Sequence, residues 1–319
     1  MVLVEKTRVP TNVSFDDFRS FALPTLCDEQ GRSYVKLAKS GPGMVGPLLR
    51  LSAKGQLEAE FDTSGAITNL YATRPNGGVT MVYADQTGKF VENFAPDGNR
   101  ESAIRLEPPP LPFFPMQIAV FRSGDILVAG LQTHPGYKAS TAVYDPTGHL
   151  IKQFALDGDE EIERAIKAGD PRYASAPGRG GEWVSRSLAI TGDDGLVYLM
   201  RATSPTTVYA ISAAGEVLRK IVVSSPLGAG LPNFGIRVVK NKLAVRFYRD
   251  CGSPLNFRSC HGAVYTVVDA TTGKTLAAYE PEDGVGGPLA CYDPDPDRFS
   301  TFDIPSGRHR LEIVETAPK

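Results

Sequence analysis

Two stretches of sequence decide the fold. They are Thr141-Ala-Val-Tyr-Asp-Pro-Thr-Gly-His-Leu-Ile-Lys-Gln-Phe154 and Thr207-Val-Tyr-Ala-Ile-Ser-Ala-Ala-Gly-Glu-Val-Leu-Arg-Lys-Ile221. Each reads as a strand, a short turn closed by glycine, and a second strand with apolar residues at alternate positions. Glycine readily adopts the positive φ that a tight hairpin turn needs, and the alternation gives a strand one buried face. Both stretches therefore predict β-hairpins.

This hairpin recurs along the chain, and a second type of hairpin precedes it. The first type is recognisable five times, with its turn glycine at Gly55, Gly98, Gly148, Gly215 and Gly273. An example of the second type is Ile118-Ala-Val-Phe-Arg-Ser-Gly-Asp-Ile-Leu-Val-Ala-Gly130. Two hairpins in series make a four-stranded unit, repeated at the spacing of about 40 residues that is typical of propeller blades. Five complete units fit the sequence, at about residues 21–62, 66–107, 116–157, 184–224 and 233–280.

The two ends of the chain complete this pattern. Residues 289–319 hold only three strands, whereas the strand-like segment Val2–Val9 belongs to none of the five units. An unpaired strand edge is a liability that natural sheets avoid. We therefore expect Val2–Val9 to supply the outer strand of the last unit, paired with the strand Arg310–Glu315. The sequence predicts one all-β domain over residues 1–319, a six-bladed β-propeller of four-stranded antiparallel blades.

Blade patterns such as Phe121-Arg-Ser-Gly-Asp-Ile-Leu-Val-Ala-Gly130 also carry a family resemblance. The chain resembles the six-bladed propellers of the NHL-like group, particularly uncharacterised secreted bacterial members. The shared patterns are structural, so the resemblance implies a fold and not an activity.

Composition limits the possible partners. The chain has 34 Lys and Arg residues against 36 Asp and Glu residues, which argues against a nucleic-acid interface. It has no apolar stretch of about 18 residues that could span a bilayer. Charge appears at Glu5 and Lys6 before any signal-peptide core develops. This start fits either a cytoplasmic protein or an exported protein that begins at its mature residue. The cysteines favour export, and we expect a periplasmic or extracellular monomer.

Four cysteines give two different expectations. Cys251 and Cys260 flank a polar, turn-rich segment, which predicts a disulfide in an oxidising compartment, with two free thiols as the alternative. Cys27 and Cys291 fall on the inner strands of the first and last blades. Because equivalent inner-strand positions point the same way round a ring, we expect these two to be buried free thiols.

Loop lengths distinguish the two faces of the ring. The turns between the first and second and between the third and fourth strands of each blade lie on one face, the turn face, and are short. The other connections lie on the opposite face, the crossover face, and carry insertions at 132–140, 157–186 and 249–262. Binding sites concentrate on elaborated loops of a rigid scaffold, whereas neutral drift would spread insertions over both faces. We predict the binding site on the crossover face.

Large polar and aromatic residues near this face are the candidate binding residues, since such residues dominate binding hot spots. Arginines among them would favour a carboxylate-bearing partner. Trp183 has the alternative of packing where the long crossover enters the fourth blade, and the histidines have no metal-ligand spacing. The candidates are Gln117, His134, Tyr137, Trp183, Arg186, Asn233, Tyr248, Arg249 and His261.

The predicted function is non-enzymatic binding of a protein, peptide or glycan, without a cofactor. The alternative is a metal-dependent hydrolase or lactonase, because six-bladed propellers related to gluconolactonase hold a calcium ion in the central channel. Calcium takes several oxygen ligands, and the matching inner-strand positions supply few. Those positions hold Cys27, Asp28, Asn69, Gln117, Arg186, Asn233, Cys291 and Asp293.

Overall fold

The structure is a computed structural model built almost entirely of β-strands. It describes residues 1–14, 18–39, 46–63, 70–85, 88–132, 138–160, 163, 187–203, 205–226, 231–248, 263–282, 287–304 and 310–319. Within these ranges, the side chains of 18–23, 38–39, 84–85, 231–234 and 248 are not described. The described part contains no helix long and apolar enough to cross a membrane.

Four separate sheets each contain four antiparallel strands in chain order. The first holds β2 (Phe18–Cys27), β3 (Ser33–Lys39), β4 (Leu48–Leu51) and β5 (Leu57–Phe61). The second holds β6 (Tyr71–Thr73), β7 (Val79–Asp85), β8 (Gly88–Phe94) and β9 (Arg100–Arg105). The third holds β10 (Phe114–Val120), β11 (Ile126–Gln132), β12 (Lys138–Tyr144) and β13 (Leu150–Phe154). The fourth holds β14 (Leu188–Thr191), β15 (Val197–Arg201), β16 (Thr206–Ile211) and β17 (Val217–Val223).

The fifth sheet has eight strands and contains both ends of the chain. One half consists of β18 (Leu231–Val239), β19 (Lys242–Tyr248), β20 (Ala263–Asp269) and β21 (Thr275–Pro281). The other half consists of β22 (Leu289–Pro294), β23 (Asp297–Asp303), β24 (Arg310–Pro318) and the N-terminal strand β1 (Val2–Ser14). A short parallel pairing of β1 with β21 joins the halves, at Val2 with Glu280 and Leu3 with Pro281.

The N-terminal strand lies where the sequence predicted it. β1 pairs antiparallel with β24, from Leu3 opposite Pro318 to Ser14 opposite Arg310. The pairing is longer than expected, because β1 continues past Val9 to Ser14. The prediction that the N-terminal segment completes the closing sheet is therefore confirmed.

The first strands of the successive four-stranded units surround a common axis. β2 contacts β6, β6 contacts β10, β10 contacts β14, β14 contacts β18, β18 contacts β22, and β22 contacts β2. The sheets thus form a closed, propeller-like arrangement, and the hydrophobic core lies between neighbouring sheets. For example, Val82 and Val91 of the second sheet share a buried cluster with Ile126 and Val128 of the third.

Strand position explains the local composition. All seven residues of β11 are buried, and its sequence Ile-Leu-Val-Ala-Gly-Leu-Gln is nearly continuously apolar. In the outer strand β9, five of six residues are exposed, and its sequence is Arg-Glu-Ser-Ala-Ile-Arg. A strand covered on both faces reads as an apolar run, whereas an exposed strand carries charge.

The turn glycines have the predicted conformation. Gly55, Gly98, Gly148, Gly215 and Gly273 all have positive φ. Gly148 also lies close to the preceding sheet, since a Cβ atom built on it would lie 2.1 Å from the carbonyl oxygen of Arg105. This turn therefore needs glycine both for its backbone conformation and for the packing of the third sheet against the second.

Candidate functional site

A cavity of about 600 Å³ lies on the axis, at the ends of the first strands. All four of the four-stranded sheets and both halves of the eight-stranded sheet contribute residues to its lining. Much of the wall is apolar, formed by residues such as Leu26, Ala72, Ala119, Ile190 and Val238. Since these residues lie near the ends of first strands, just before the first hairpin turns, the cavity opens on the turn face. The sequence predicted a binding site on the opposite face.

Arg237 is the most buried charged residue of this wall. It lies on β18, is 4% exposed and has a guanidinium that reaches the neighbouring first strands. Nε donates to the carbonyl oxygen of Ala290 at 2.5 Å, and Nη1 donates to that of Ile236 at 2.5 Å. Nη2 donates to the carbonyl oxygens of Thr25 and Leu289, each at 2.7 Å. One side chain thus ties β18 to β2 and β22 across the point where the ring closes.

The hydrogen-bond partners of Arg237 are all uncharged. Its hydrogen bonds reach only backbone carbonyls, and burial lowers the pKa of the guanidinium to about 10. The neighbouring phenol of Tyr71 acts in the opposite direction on that pKa, more weakly. Tyr71 is itself buried and within hydrogen-bond distance of the carbonyl oxygens of Pro24 (2.8 Å) and Tyr34 (3.1 Å).

The mouth of the cavity is charged but largely self-compensating. Asp28 accepts a hydrogen bond from Arg32 Nε at 2.7 Å, and Asp293 accepts one from Arg298 Nη2 at 2.6 Å. Glu29 pairs with an arginine of the third sheet. Glu315 also lines the cavity, and its charge acts on Arg298. The remaining lining acid accepts a hydrogen bond from a backbone amide.

That remaining acid lies in a turn of the fourth sheet. Asp193 Oδ2 accepts the backbone N–H of Lys240 at 2.7 Å, which links the turn to that of the next unit. Lys240 has a φ of 48° and an exposed side chain at the rim. The rim therefore consists of turns that are cross-linked by hydrogen bonds and ion pairs, which holds the cavity mouth open in a defined shape.

A disulfide forms part of the cavity wall and corrects the expectation of two free thiols. Cys27 and Cys291 are bonded, with their Cα atoms 5.2 Å apart. The two positions are not equivalent, because Cys27 is the last residue of β2 whereas Cys291 lies within β22. The register of β22 shifts between Leu289 and Cys291. Such a bulge re-aims the side chains that follow it, so Cys291 can face the neighbouring strand.

The residues predicted for the crossover face are mostly outside the described part. These are His134, Tyr137, Trp183, Arg186, Arg249 and His261, together with the predicted Cys251–Cys260 disulfide. Asn233 lies on β18 and Tyr248 ends β19, but their side chains are not described. Gln117 is buried on β10, two residues before the cavity-lining Ala119. The crossover-face site therefore stays a prediction.

The described inner-strand positions supply few ligands for a calcium site of the kind considered from the sequence, whereas Asn69, Arg186 and the side chain of Asn233 lie outside the described part. Cys27 and Cys291 are bonded to each other, and Asp28 and Asp293 are engaged by arginines. No group of three or more His, Cys, Asp or Glu residues in the described ranges is arranged to hold a metal ion. We therefore derive no chemistry through a metal.

Arg237 was missed by the sequence reasoning, although a signal was present. It is the single charge in Gly235-Ile-Arg-Val-Val239, an otherwise apolar stretch leading to a tight turn. A lone arginine in a buried first strand needs partners inside the fold, because burying a charge is costly unless it is hydrogen-bonded. That requirement could have marked Arg237 as an axial residue.

Comparisons with known proteins reveal the fold alone. No protein-family model matches the chain, and no curated protein matches it in sequence. Solved structures do match it over nearly its whole length. A DUF4221-family member from Bacteroides vulgatus has a TM-score of 0.57 and 10% identity, with 98% of this chain and 97% of that chain covered.

Two further structures are similar to the same degree. A gluconolactonase from Xanthomonas campestris has a TM-score of 0.55 and 13% identity, with 98% of both chains covered. A protein of unknown function from Dyadobacter fermentans has a TM-score of 0.54 and 11% identity, with 99% of both covered. At such low identities the likeness extends to architecture and not to chemistry. The chain thus shares a propeller-like fold with proteins of different or unknown function.

Proposed function

We propose that this chain is a six-bladed propeller that acts as a non-enzymatic binding protein and holds a small ligand in its axial cavity. In this interpretation the two halves of the eight-stranded sheet are the fifth and sixth blades, joined where β1 reaches β21. The Cys27–Cys291 disulfide supports a periplasmic or extracellular location, because disulfides persist in oxidising compartments.

The axial cavity is the observation that carries this proposal. It is concave, has a volume of about 600 Å³ and combines apolar walls with a few polar groups. Those are the usual properties of small-molecule sites, in which apolar surface gives affinity and polar groups set orientation. Its rim is held by cross-linked turns, so the cavity does not need to be formed by the ligand.

The lining favours binding over catalysis. Hydrolysis by a nucleophile needs a serine or cysteine beside a base, commonly histidine. The described lining contains Ser33 and Ser300 but no histidine that could act as their base, and its two cysteines are consumed in the disulfide. The similarity to a gluconolactonase supports the scaffold, but the described residues provide no reaction centre of that kind.

The crossover face is a second place for binding, suited to a protein, peptide or glycan. Its long loops motivate this prediction, and nothing in the described part bears on it. Substitutions can distinguish the two faces, because Thr73 lines the axial cavity whereas Trp183, Arg186 and Tyr248 are predicted for the crossover face.

The test is a ligand screen on three variants and the wild type. Thr73→Phe should fill the axial cavity, because Thr73 is a half-buried lining residue at the end of β6. Thr7→Phe makes the same change at an exposed position of β1 and serves as the matched control. The third variant carries alanine at Trp183, Arg186 and Tyr248. Melting temperatures with a mixed library of small molecules, peptides and oligosaccharides identify binders, and calorimetry measures their affinities.

The expected binder loses at least about tenfold in affinity with Thr73→Phe and is unaffected by Thr7→Phe or the triple alanine change. A binder that is sensitive only to the triple change would move the site to the crossover face. If no library member binds the wild type, the binding function is contradicted.

A further inference from the structure

The charges around the axial cavity are distributed unequally between its mouth and its interior. At the mouth, Asp28, Glu29 and Asp293 each have an arginine partner. Inside, Arg237 lines the wall, and the described residues place no carboxylate on its guanidinium. The acids at the rim are thus largely neutralised, whereas the interior keeps a positive charge.

Carbonyl oxygens compensate this charge only in part. They satisfy four N–H groups of Arg237 through their dipoles, but none carries a full negative charge. A guanidinium has five N–H donors, so one on Nη1 is left over from these bonds. A buried cation without a counter-ion strongly favours any arrangement that brings an anion near it, because the interior screens charge poorly.

We propose that the axial cavity takes a small organic anion, with its carboxylate turned toward Arg237 and its apolar body against the wall. This inference rests on the proposed binding function and names the ligand class. Leu26, Ala72, Ile190 and Val238 offer the apolar surface, so a purely inorganic anion would leave most of the wall without contact. Lys240 at the rim adds a second cation on the path into the cavity.

The acidic residues of the mouth do not oppose this assignment. Asp193 accepts the backbone N–H of Lys240, and Asp28, Glu29 and Asp293 are each paired with an arginine. The charge of Glu315, the fifth lining acid, acts on Arg298. An entering anion therefore meets a nearly balanced rim. Selectivity for an anion comes from the interior, where Arg237 lies. Among the described residues it is the only cation that donates to the first-strand carbonyls of three units.

The experiment compares two probes of the same shape that differ in charge, benzoate and benzamide. Calorimetry at constant ionic strength should give a dissociation constant at least about tenfold lower for benzoate. Thr73→Phe should abolish binding, and Thr7→Phe should leave it unchanged. Arg237→Gln removes the charge, so in that variant the two probes should bind equally.

A second measurement keeps the inference testable if Arg237→Gln fails to fold. A crystal of the wild-type protein soaked in 4-iodobenzoate locates the iodine by its anomalous signal and shows the direction of the carboxylate. The carboxylate is expected beside the Arg237 guanidinium, with the iodine toward the mouth. Iodine elsewhere on the surface, or a carboxylate directed to solvent, would overturn the assignment.

The outcomes distinguish this inference from the binding function itself. If benzamide and neutral library members bind as tightly as benzoate and Thr73→Phe blocks them, the anion assignment is wrong while axial binding stands. If neither probe binds and no library member is sensitive to Thr73→Phe, the axial site fails as a whole.

Discussion

Cys27 and Cys291 are bonded across a sequence separation of 264 residues. The bond joins the first strands β2 and β22 beside the cavity, where Arg237 also donates a hydrogen bond to β2. The two ends of the chain lie farther from the axis, in β1 and β24. The ring is thus closed covalently at its axis and by hydrogen bonds between β1 and β24 at its periphery.

Removing the disulfide should destabilise the protein. A cross-link that closes so long a loop restricts the unfolded chain, and the chain-entropy model assigns it about 5–6 kcal/mol. The double variant Cys27→Ser, Cys291→Ser is expected to lose about 3–5 kcal/mol in urea unfolding. Wild-type protein unfolded in a reductant serves as the control and should lose a similar amount. Peptide mapping without reduction should recover the two cysteines linked, and free thiols at both positions would contradict the assignment.

The N-terminal strand should contribute to stability through its buried side. Leu3 is fully buried in a cluster with Tyr265 and Phe299, so Leu3→Ala is expected to cost about 2–5 kcal/mol. Val2 is 47% exposed, and Val2→Ala should change the free energy of unfolding by less than about 0.5 kcal/mol. Deleting residues 2–9 should lower the melting temperature by several degrees. An unchanged melting curve for the deletion would show that β1 does not close the sheet in solution.

Two turn glycines at equivalent positions should differ in their tolerance of alanine. Gly148 and Gly273 both have positive φ, so either change costs about 1–2 kcal/mol for the backbone. At Gly273 the new Cβ has its nearest neighbour at 3.7 Å, whereas at Gly148 it collides with backbone of the preceding sheet. Gly148→Ala should therefore cost at least about 2 kcal/mol more in urea unfolding. Equal losses would mean that the sheets are packed less closely at this turn.

Stability should fall at alkaline pH as buried tyrosines begin to lose protons in the unfolded chain. Burial, with a smaller effect from Glu107, raises the pKa of Tyr144 to about 12 from its ordinary value of 10.0. The stabilisation is fully present below the unfolded pKa and is lost as the pH rises through the folded one. Between pH 9 and pH 12, the wild type should lose about 2 kcal/mol more than Tyr144→Phe.

Tyr209 provides a replicate of this measurement. Its pKa is also raised to about 12, mainly by burial and next by the charge of Asp159. Tyr209→Phe should flatten the same part of the pH profile. Parallel pH profiles for the wild type and both variants would contradict the raised pKa values.

The periodic features of the fold could be predicted from the sequence alone. Strand alternation and turn glycines are local signals, and residues such as Gly98 and Gly215 have the backbone conformation that their turns require. The pairing of Val2–Val9 with Arg310–Glu315 followed from a counting argument, since a three-stranded end would leave an open edge.

Only the tertiary structure decided what lies on the axis. Whether Cys27 faces Cys291 depends on a register shift in β22, which no local pattern records. Likewise, Arg237 meets the carbonyl oxygens of Thr25 and Leu289 only because ring closure brings together strands that are distant in sequence. Hairpins arise from neighbouring residues and are therefore written in the sequence. The axial cavity arises where several units converge, so its lining and its charge are properties of the assembled ring.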